Sequence, residues 1–82
     1  VFTVGQISEF NPQWKRISLV DSYNFLRHPG EWIPNTSETF IELTDAIIMK
    51  NDKQISFDDL SLDDKVYVVR YDEDALVLFV EP

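Results

Sequence analysis

The chain has 82 residues and carries fifteen acidic against seven basic side chains, a formal net charge of −8, with one histidine and no cysteine. That length supports one domain with a modest core, and the missing thiols remove disulfides, thiolate nucleophiles and Cys-type zinc sites. The acidic balance sets the surface against phosphate backbones, whose binding depends on Lys and Arg displacing counterions, and against anionic lipid, while favouring basic partners or plain solubility as a monomer.

Phe2 to Ser8 alternates apolar and polar residues at period two, which predicts a first strand with Phe2, Val4 and Ile7 inward and Gly5 at a bulge. Asn11-Pro12-Gln13-Trp14 reads as a turn, and Arg16 to Asp21 as a second strand returning beside the first. From Ser22 to Thr36 the alternation stops. This stretch is too aromatic for a solvated linker, so it is expected to be a long connection folded over the rest, with a short helical turn near Tyr23 to Arg27 ended by Pro29-Gly30.

Phe40 to Leu43 resumes as a strand, and Ala46 to Met49 either continues it or forms a separate short one. Lys50 to Lys53 is a polar turn, with Gln54 to Ser56 returning beside it. Ser56 ahead of Phe57-Asp58-Asp59-Leu60 predicts one brief helical or 3₁₀ turn, because an N-cap hydroxyl and first-turn acids favour a helix start. Val66 to Tyr71 and Ala75 to Val80 form a hairpin across Asp72-Glu73-Asp74. Together these elements predict one all-β domain over residues 1–82: a small five-stranded antiparallel barrel with one short helical turn and a core drawn mainly from the C-terminal half. Closure of the barrel disposes of free strand edges.

No apolar run approaches the roughly 18 to 20 residues that span a bilayer, and the first residues lack a basic and then apolar leader, so no direct membrane insertion is expected. The start at Val1 rather than Met leads to the expectation that an upstream segment was removed.

Asp58, Asp59, Asp63 and Asp64 lie close together, but the loop spacing that gathers about six to eight oxygens on calcium is missing, so they read as a solvated corner and no metal is expected. His28 is the only histidine, and no nucleophile elbow, phosphate loop or zinc-protease motif accompanies it. Neither an enzyme nor a cofactor is expected. The candidate binding residues are Trp14, Tyr23, Phe25 and Trp32, with Arg27 as a polar contact, because Trp and Tyr outside a core are typical interface anchors. Alternatively, these aromatics plug an open barrel end. Tyr67, Tyr71 and Phe79 read as core or cross-strand residues.

The run from Phe40 through Val68, with its turn at Asn51-Asp52, its Ile55-Ser56-Phe57-Asp58-Asp59-Leu60 step and its Asp63-Asp64-Lys65-Val66-Tyr67-Val68 strand start, resembles the second half of small OB-like barrel domains of bacterial secreted and envelope proteins. In those domains glycine usually stands in the turn after the first Lys and before the Asp ahead of the last strands; here Asp52 and Asp63 stand there. The resemblance implies an OB-like barrel, an extracytoplasmic setting (secreted or anchored to the cell envelope), and binding on one sheet face and its loops. The functional expectation is a non-enzymatic binding or interaction module that contacts a protein or peptide through an aromatic loop. The alternatives are an accessory structural domain of a longer chain and an oligonucleotide-binding OB fold. The last ranks low because its groove needs a basic track, and the basic residues here are few and scattered, so no nucleic acid partner is expected.

Overall fold

Eight strands, rather than five, emerge in the computed structural model, which describes all 82 residues: β1 (Phe2–Asn11), β2 (Arg16–Leu26), β3 (Glu31–Pro34), β4 (Thr39–Glu42), β5 (Ile47–Lys50), β6 (Lys53–Ile55), β7 (Lys65–Tyr71) and β8 (Asp74–Val80). They join in one sheet ordered β3-β2-β1-β7-β8-β5-β6, with β4 pairing β2 on one side and β8 on the other. The sheet is mixed. β4 and β5 run parallel to β8, while the other pairs are antiparallel. The expectation of a purely antiparallel sheet fails here because Thr44-Asp45 breaks one extended run into two short strands that both reach β8.

The expected irregular connection after Ser22 is instead a hairpin. β2 continues to Leu26, a turn of Arg27 to Gly30 follows, and β3 returns with Phe25 opposite Trp32 and Tyr23 opposite Pro34. No helical turn forms at Tyr23 to Arg27. The period-two signal breaks off at Val20 because β2 carries an extra residue: Val4 pairs Tyr23 and Gln6 pairs Val20, so Asp21 and Ser22 both stand against Gly5. Asp21 takes φ 50 to accommodate this bulge. A second shift places an extra residue, Ser8, on β1, whose hydroxyl donates to the Ser18 carbonyl at 3.2 Å.

β1 itself alternates evenly up to Ile7, because the extra residue opposite Gly5 lies on β2. Thr3, Gly5 and Ile7 are buried, whereas Phe2 and Val4 point outward, reversing the expected orientation of those two residues. Gly5 is required by close approach. A Cβ built there would lie 2.9 Å from the Ser22 Cβ and 3.2 Å from that of Leu19.

Twelve residues form the apolar core: Ile7, Ile17, Leu19, Ile41, Leu43, Ile48, Leu60, Val66, Val68, Ala75, Leu78 and Val80. Nine of them fall from Ile41 onward, as the sequence led one to expect. Leu60 enters this core from a single 3₁₀ turn, Phe57–Asp59, at the expected place. The Asp59 carboxylate accepts from both the backbone N–H (3.0 Å) and the hydroxyl (3.1 Å) of Ser56, which fixes the start of the turn.

Tight turns put several non-glycine residues in left-handed backbone. Asn51 (φ 52) and Asp52 (φ 62) together close the two-residue β5–β6 hairpin. Asp63 (φ 69) sits ahead of β7 and donates its N–H to the Ile7 carbonyl at 2.8 Å. The backbone at Asp52 and Asp63 is of the kind glycine adopts most readily.

Candidate interaction face

Because side chains alternate across a strand, burying Thr3, Ser22, Val66, Val68, Leu78 and Ile48 forces their neighbours onto the opposite face. Cross-strand register assembles those neighbours into two parallel rows. One runs Trp32, Phe25, Phe2, Val69, Val77, Ile47; the next runs Pro34, Tyr23, Val4, Tyr67, Phe79, Met49. All twelve positions, contributed by six strands in their sheet order, are apolar or aromatic. Five spacings of about 4.8 Å make each row roughly 24 Å long when followed along the sheet, which curves because β4 bridges β2 and β8.

Aromatic contacts tie the rows together. The Phe2 ring lies 5.7 Å from Trp32, nearly edge-on, and 6.4 Å from Tyr67, while Phe25 and Trp32 are 5.1 Å apart. These contacts leave much of the face in solvent: Trp32 and Phe79 are each 46% exposed and Ile47 48%. The row beyond is polar. Gln6 stands opposite Lys65, whose ammonium lies 5.6 Å from the Tyr67 ring centre, and the Tyr67 hydroxyl donates to Glu81 at 3.1 Å. Two shallow depressions flank the rows, one of about 260 Å³ holding Asp21 and Lys65 beside Val4 and Tyr23, and one of about 310 Å³ holding Lys50 and Asp52 beside Met49 and Phe79.

Of the five candidate residues, Tyr23, Phe25 and Trp32 are gathered on this face, as strand residues rather than in a loop. Trp14 is not. It sits in the β1–β2 turn at the other end of the long hairpin, 56% exposed, with its N–H donating to the Asn11 carbonyl at 3.2 Å. Arg27 lies exposed in the β2–β3 turn, and its guanidinium makes no hydrogen bond or ion pair. Sequence reasoning missed Phe2, Val4, Val69, Val77, Ile47, Met49 and Pro34, and assigned Tyr67 and Phe79 no role at an outer surface. Tyr71, read as a core or cross-strand residue, is 75% exposed at the β7–β8 turn. The signal that could have found them is continuous apolar character in β7 and β8, which marks strands whose two faces are both dry.

The other side of the same strands is polar at one end. Arg70 donates from Nε to the Thr3 hydroxyl (2.9 Å), from one terminal nitrogen to Asn24 Oδ1 (3.1 Å) and from the other to the Asp72 carbonyl (2.7 Å). The Thr3 hydroxyl itself donates to Asn24 Oδ1 at 2.7 Å. Asn35, in the β3–β4 connection, donates to the Ser22 hydroxyl at 2.9 Å, and that hydroxyl shares a hydrogen with Thr39 at 2.8 Å. Burial holds the Arg70 guanidinium below its ordinary pKa, with Asp72 and then Glu73 acting in the opposite direction. This network pins β3 and its following connection to the body, and so holds Trp32 in place.

Both ends of the sheet resist strand addition. Asn35 N–H donates to the Ser22 carbonyl at 2.9 Å, so by the alternation of antiparallel pairing the backbone of Trp32 and Pro34 turns to the free side of β3. Proline has no N–H to offer there. At the other end β6 is three residues long and begins with Lys53, two usual devices that blunt an edge.

No protein-family model matches the chain, and searches of curated proteins and of solved structures find no match either.

Proposed function

We propose that this chain is a non-enzymatic interaction module of OB-like form that docks a protein or peptide on the two aromatic rows of its sheet. The circuit of pairings β1, β2, β4, β8, β7 and back to β1 supports the five-stranded barrel reading, and left-handed backbone at Asp52 and Asp63 supports the resemblance to extracytoplasmic domains of bacteria. The observation that carries the functional reading is the unbroken apolar content of twelve facing positions on six strands. Soluble monomers rarely leave contiguous apolar surface of more than a few hundred Å² open to water without a binding role. Sheet aromatics also serve as stacking platforms for single-stranded nucleic acid, but a net charge of −8 opposes the phosphate backbone.

The test is selection of binders from a displayed random-peptide and small-domain library on the immobilised protein. Binders should lose roughly thirtyfold in affinity or more against Trp32→Ala or Phe79→Ala, the loss typical of central aromatic anchors. They should keep their affinity against Trp14→Ala. Recovery of binders indifferent to Trp32 and Phe79 but lost with Trp14 would refute the proposal.

A further inference from the structure

We infer that the free edge of β4 is a strand-addition site for an extended, Lys- or Arg-bearing segment of a partner protein, separate from the aromatic rows. The backbone supplies the first argument. Leu43 N–H donates to the Lys15 carbonyl at 2.8 Å, whereas Glu42 N–H turns the other way, to the Glu73 carbonyl at 2.7 Å. Alternation along the strand therefore aims the N–H and C=O of Phe40 away from β2 as well. β4 meets β8 at Glu42 and Asp74 alone, because the chain ahead of Asp74 bends into the β7–β8 turn, where Asp72 takes φ 53. No strand stands opposite Phe40, and the sheet is open there.

Unpaired backbone at a strand edge is a template for another chain, and recognition by added strands uses it directly. β3 and β6 are blunted, but Phe40 offers a donor, an acceptor and a side chain 55% exposed. A depression of about 280 Å³ lined by Arg16, Phe40, Ile41, Glu42 and Glu73 lies along this edge, and one of about 190 Å³ continues past Phe40 to Glu9 and Ser18. The free stretch, residues 38–40, spans roughly 10 Å, so a short extended segment suffices. A helix cannot substitute, since its own ladder already uses its backbone groups.

Charge selects among extended segments. Glu42 and Glu73 line the first depression, Glu9 the second, and Asp45 and Asp74 a third that adjoins Glu42. The one cation in these linings, Arg16, is the ion-pair partner of Glu42 at 3.8 Å. Side chains alternate along a strand, so a segment with Lys or Arg at every second residue sets its cations on one side, over these carboxylates. An acidic segment meets like charge.

The probe is acetyl-Lys-Val-Lys-Val-Lys-Val-amide, titrated into the isotope-labelled chain at low salt to about 5 mM, a range that captures Kd into the millimolar. Saturable shifts of the Phe40 and Glu42 amides are expected, with slowed solvent exchange of the Phe40 N–H. The same peptide N-methylated at every residue keeps its charge and side chains but loses its donors, and should bind at least about tenfold more weakly. Its counterpart with Glu in place of Lys should not bind. Phe40→Pro removes an N–H that faces away from β2, so it leaves that ladder intact, and should weaken binding of the Lys peptide by about tenfold or more; Trp32→Ala should leave it unchanged. Equal affinity for the N-methylated peptide, shifts confined to the aromatic rows, or no saturable shift at Phe40 overturns the inference.

Discussion

Gly5→Ala tests the geometry that turns the aromatic residues outward. The added methyl would point inward between Thr3 and Ile7, 2.9 Å from the Ser22 Cβ, 3.2 Å from the Leu19 Cβ and 3.3 Å from the Ser22 Cα. All three neighbours are backbone or Cβ atoms of the paired strand, so no side-chain rotation relieves the overlap. Inserting a methyl into a packed interior costs typically about 1–3 kcal/mol, and atoms this close to the main chain put the cost in the upper half of that range. Replacing glycine within a strand returns roughly 0.5–1 kcal/mol of backbone entropy, leaving a net loss of about 1–2.5 kcal/mol. For a domain of this size that lowers Tm by roughly 5 to 20 °C. The assay is thermal and urea unfolding of Gly5→Ala alone and in a Ser22→Gly background. Ser22→Gly destabilises by itself, since it removes a hydroxyl bonded to Thr39 and Asn35, but it also removes the closest atom. Gly5→Ala should therefore be about 1 kcal/mol less harmful in that background. A Tm within about 2 °C of wild type, against the expected shift, or an equal cost in both backgrounds, would refute the close approach of β1 to the β2 bulge.

Leu78→Ala opens a void beneath the centre of β8, where the side chain is fully buried; an expected loss of about 2–5 kcal/mol would leave little folded protein, read as a collapse of the urea midpoint. Lys15→Gly and Asp63→Gly relieve left-handed backbone at φ 50 and 69 and should each stabilise, Lys15→Gly by up to about 1 kcal/mol and Asp63→Gly by less because Asp tolerates that region better; destabilisation by Lys15→Gly would mean that the turn is built differently. Arg70→Met takes the donor from the Thr3 hydroxyl oxygen and one of the donors from Asn24 Oδ1, which keeps that of Thr3, and should cost about 1–3 kcal/mol, with Arg70→Lys intermediate because an ammonium cannot reproduce the three-way fork. The lowered Arg70 pKa means that the unfolded chain holds this proton more tightly, so stability from this group rises with pH only through a window far above neutrality; the stability profiles of wild type and Arg70→Met should run parallel between about pH 6 and 9, and divergence there would contradict the assignment.

The parts of the fold legible in the sequence are those fixed by local signals. Asn51-Asp52 and Asp72-Glu73-Asp74 marked their turns, and Ser56 ahead of Asp58-Asp59 marked the 3₁₀ turn. Two features escaped. One was the bulge at Asp21, which changes the phase of β2 so that Val20 and Tyr23 point the same way despite being three residues apart; a period-two reading loses the strand there and sees a loop. The other was the placing of β4 and β5 beside β8, which depends on parallel pairing across more than twenty residues of chain and leaves no local signature. For the same reason Tyr23, Phe25 and Trp32 were recognisable as anchors while their strand partners were not. The anchors stood out by residue type; Phe2, Val69 and Val77 belong with them only through register.

The missed partners and the proposed docking face have one physical origin. Strands that face water on one side read as clean alternation, whereas strands covered on both sides read as continuous apolar runs. Val66 to Val69 and Ala75 to Val80 are of the second kind, yet the chain covers only one of their faces: the twelve-residue core lies on the inner side, and no element crosses the outer one. Mutation toward polar residues at Val69, Val77 or Phe79 would cost the isolated fold little, since these side chains are only partly buried. β-propensity alone does not account for their apolar character either, because Thr meets the strand preference as well as Val while tolerating water. A surface kept apolar in composition but left wet by its own fold calls for a partner that arrives from outside the chain. The edges at β3 and β6 are blunted in the same molecule, which directs that partner onto the outer side chains rather than into the hydrogen-bonding ladder.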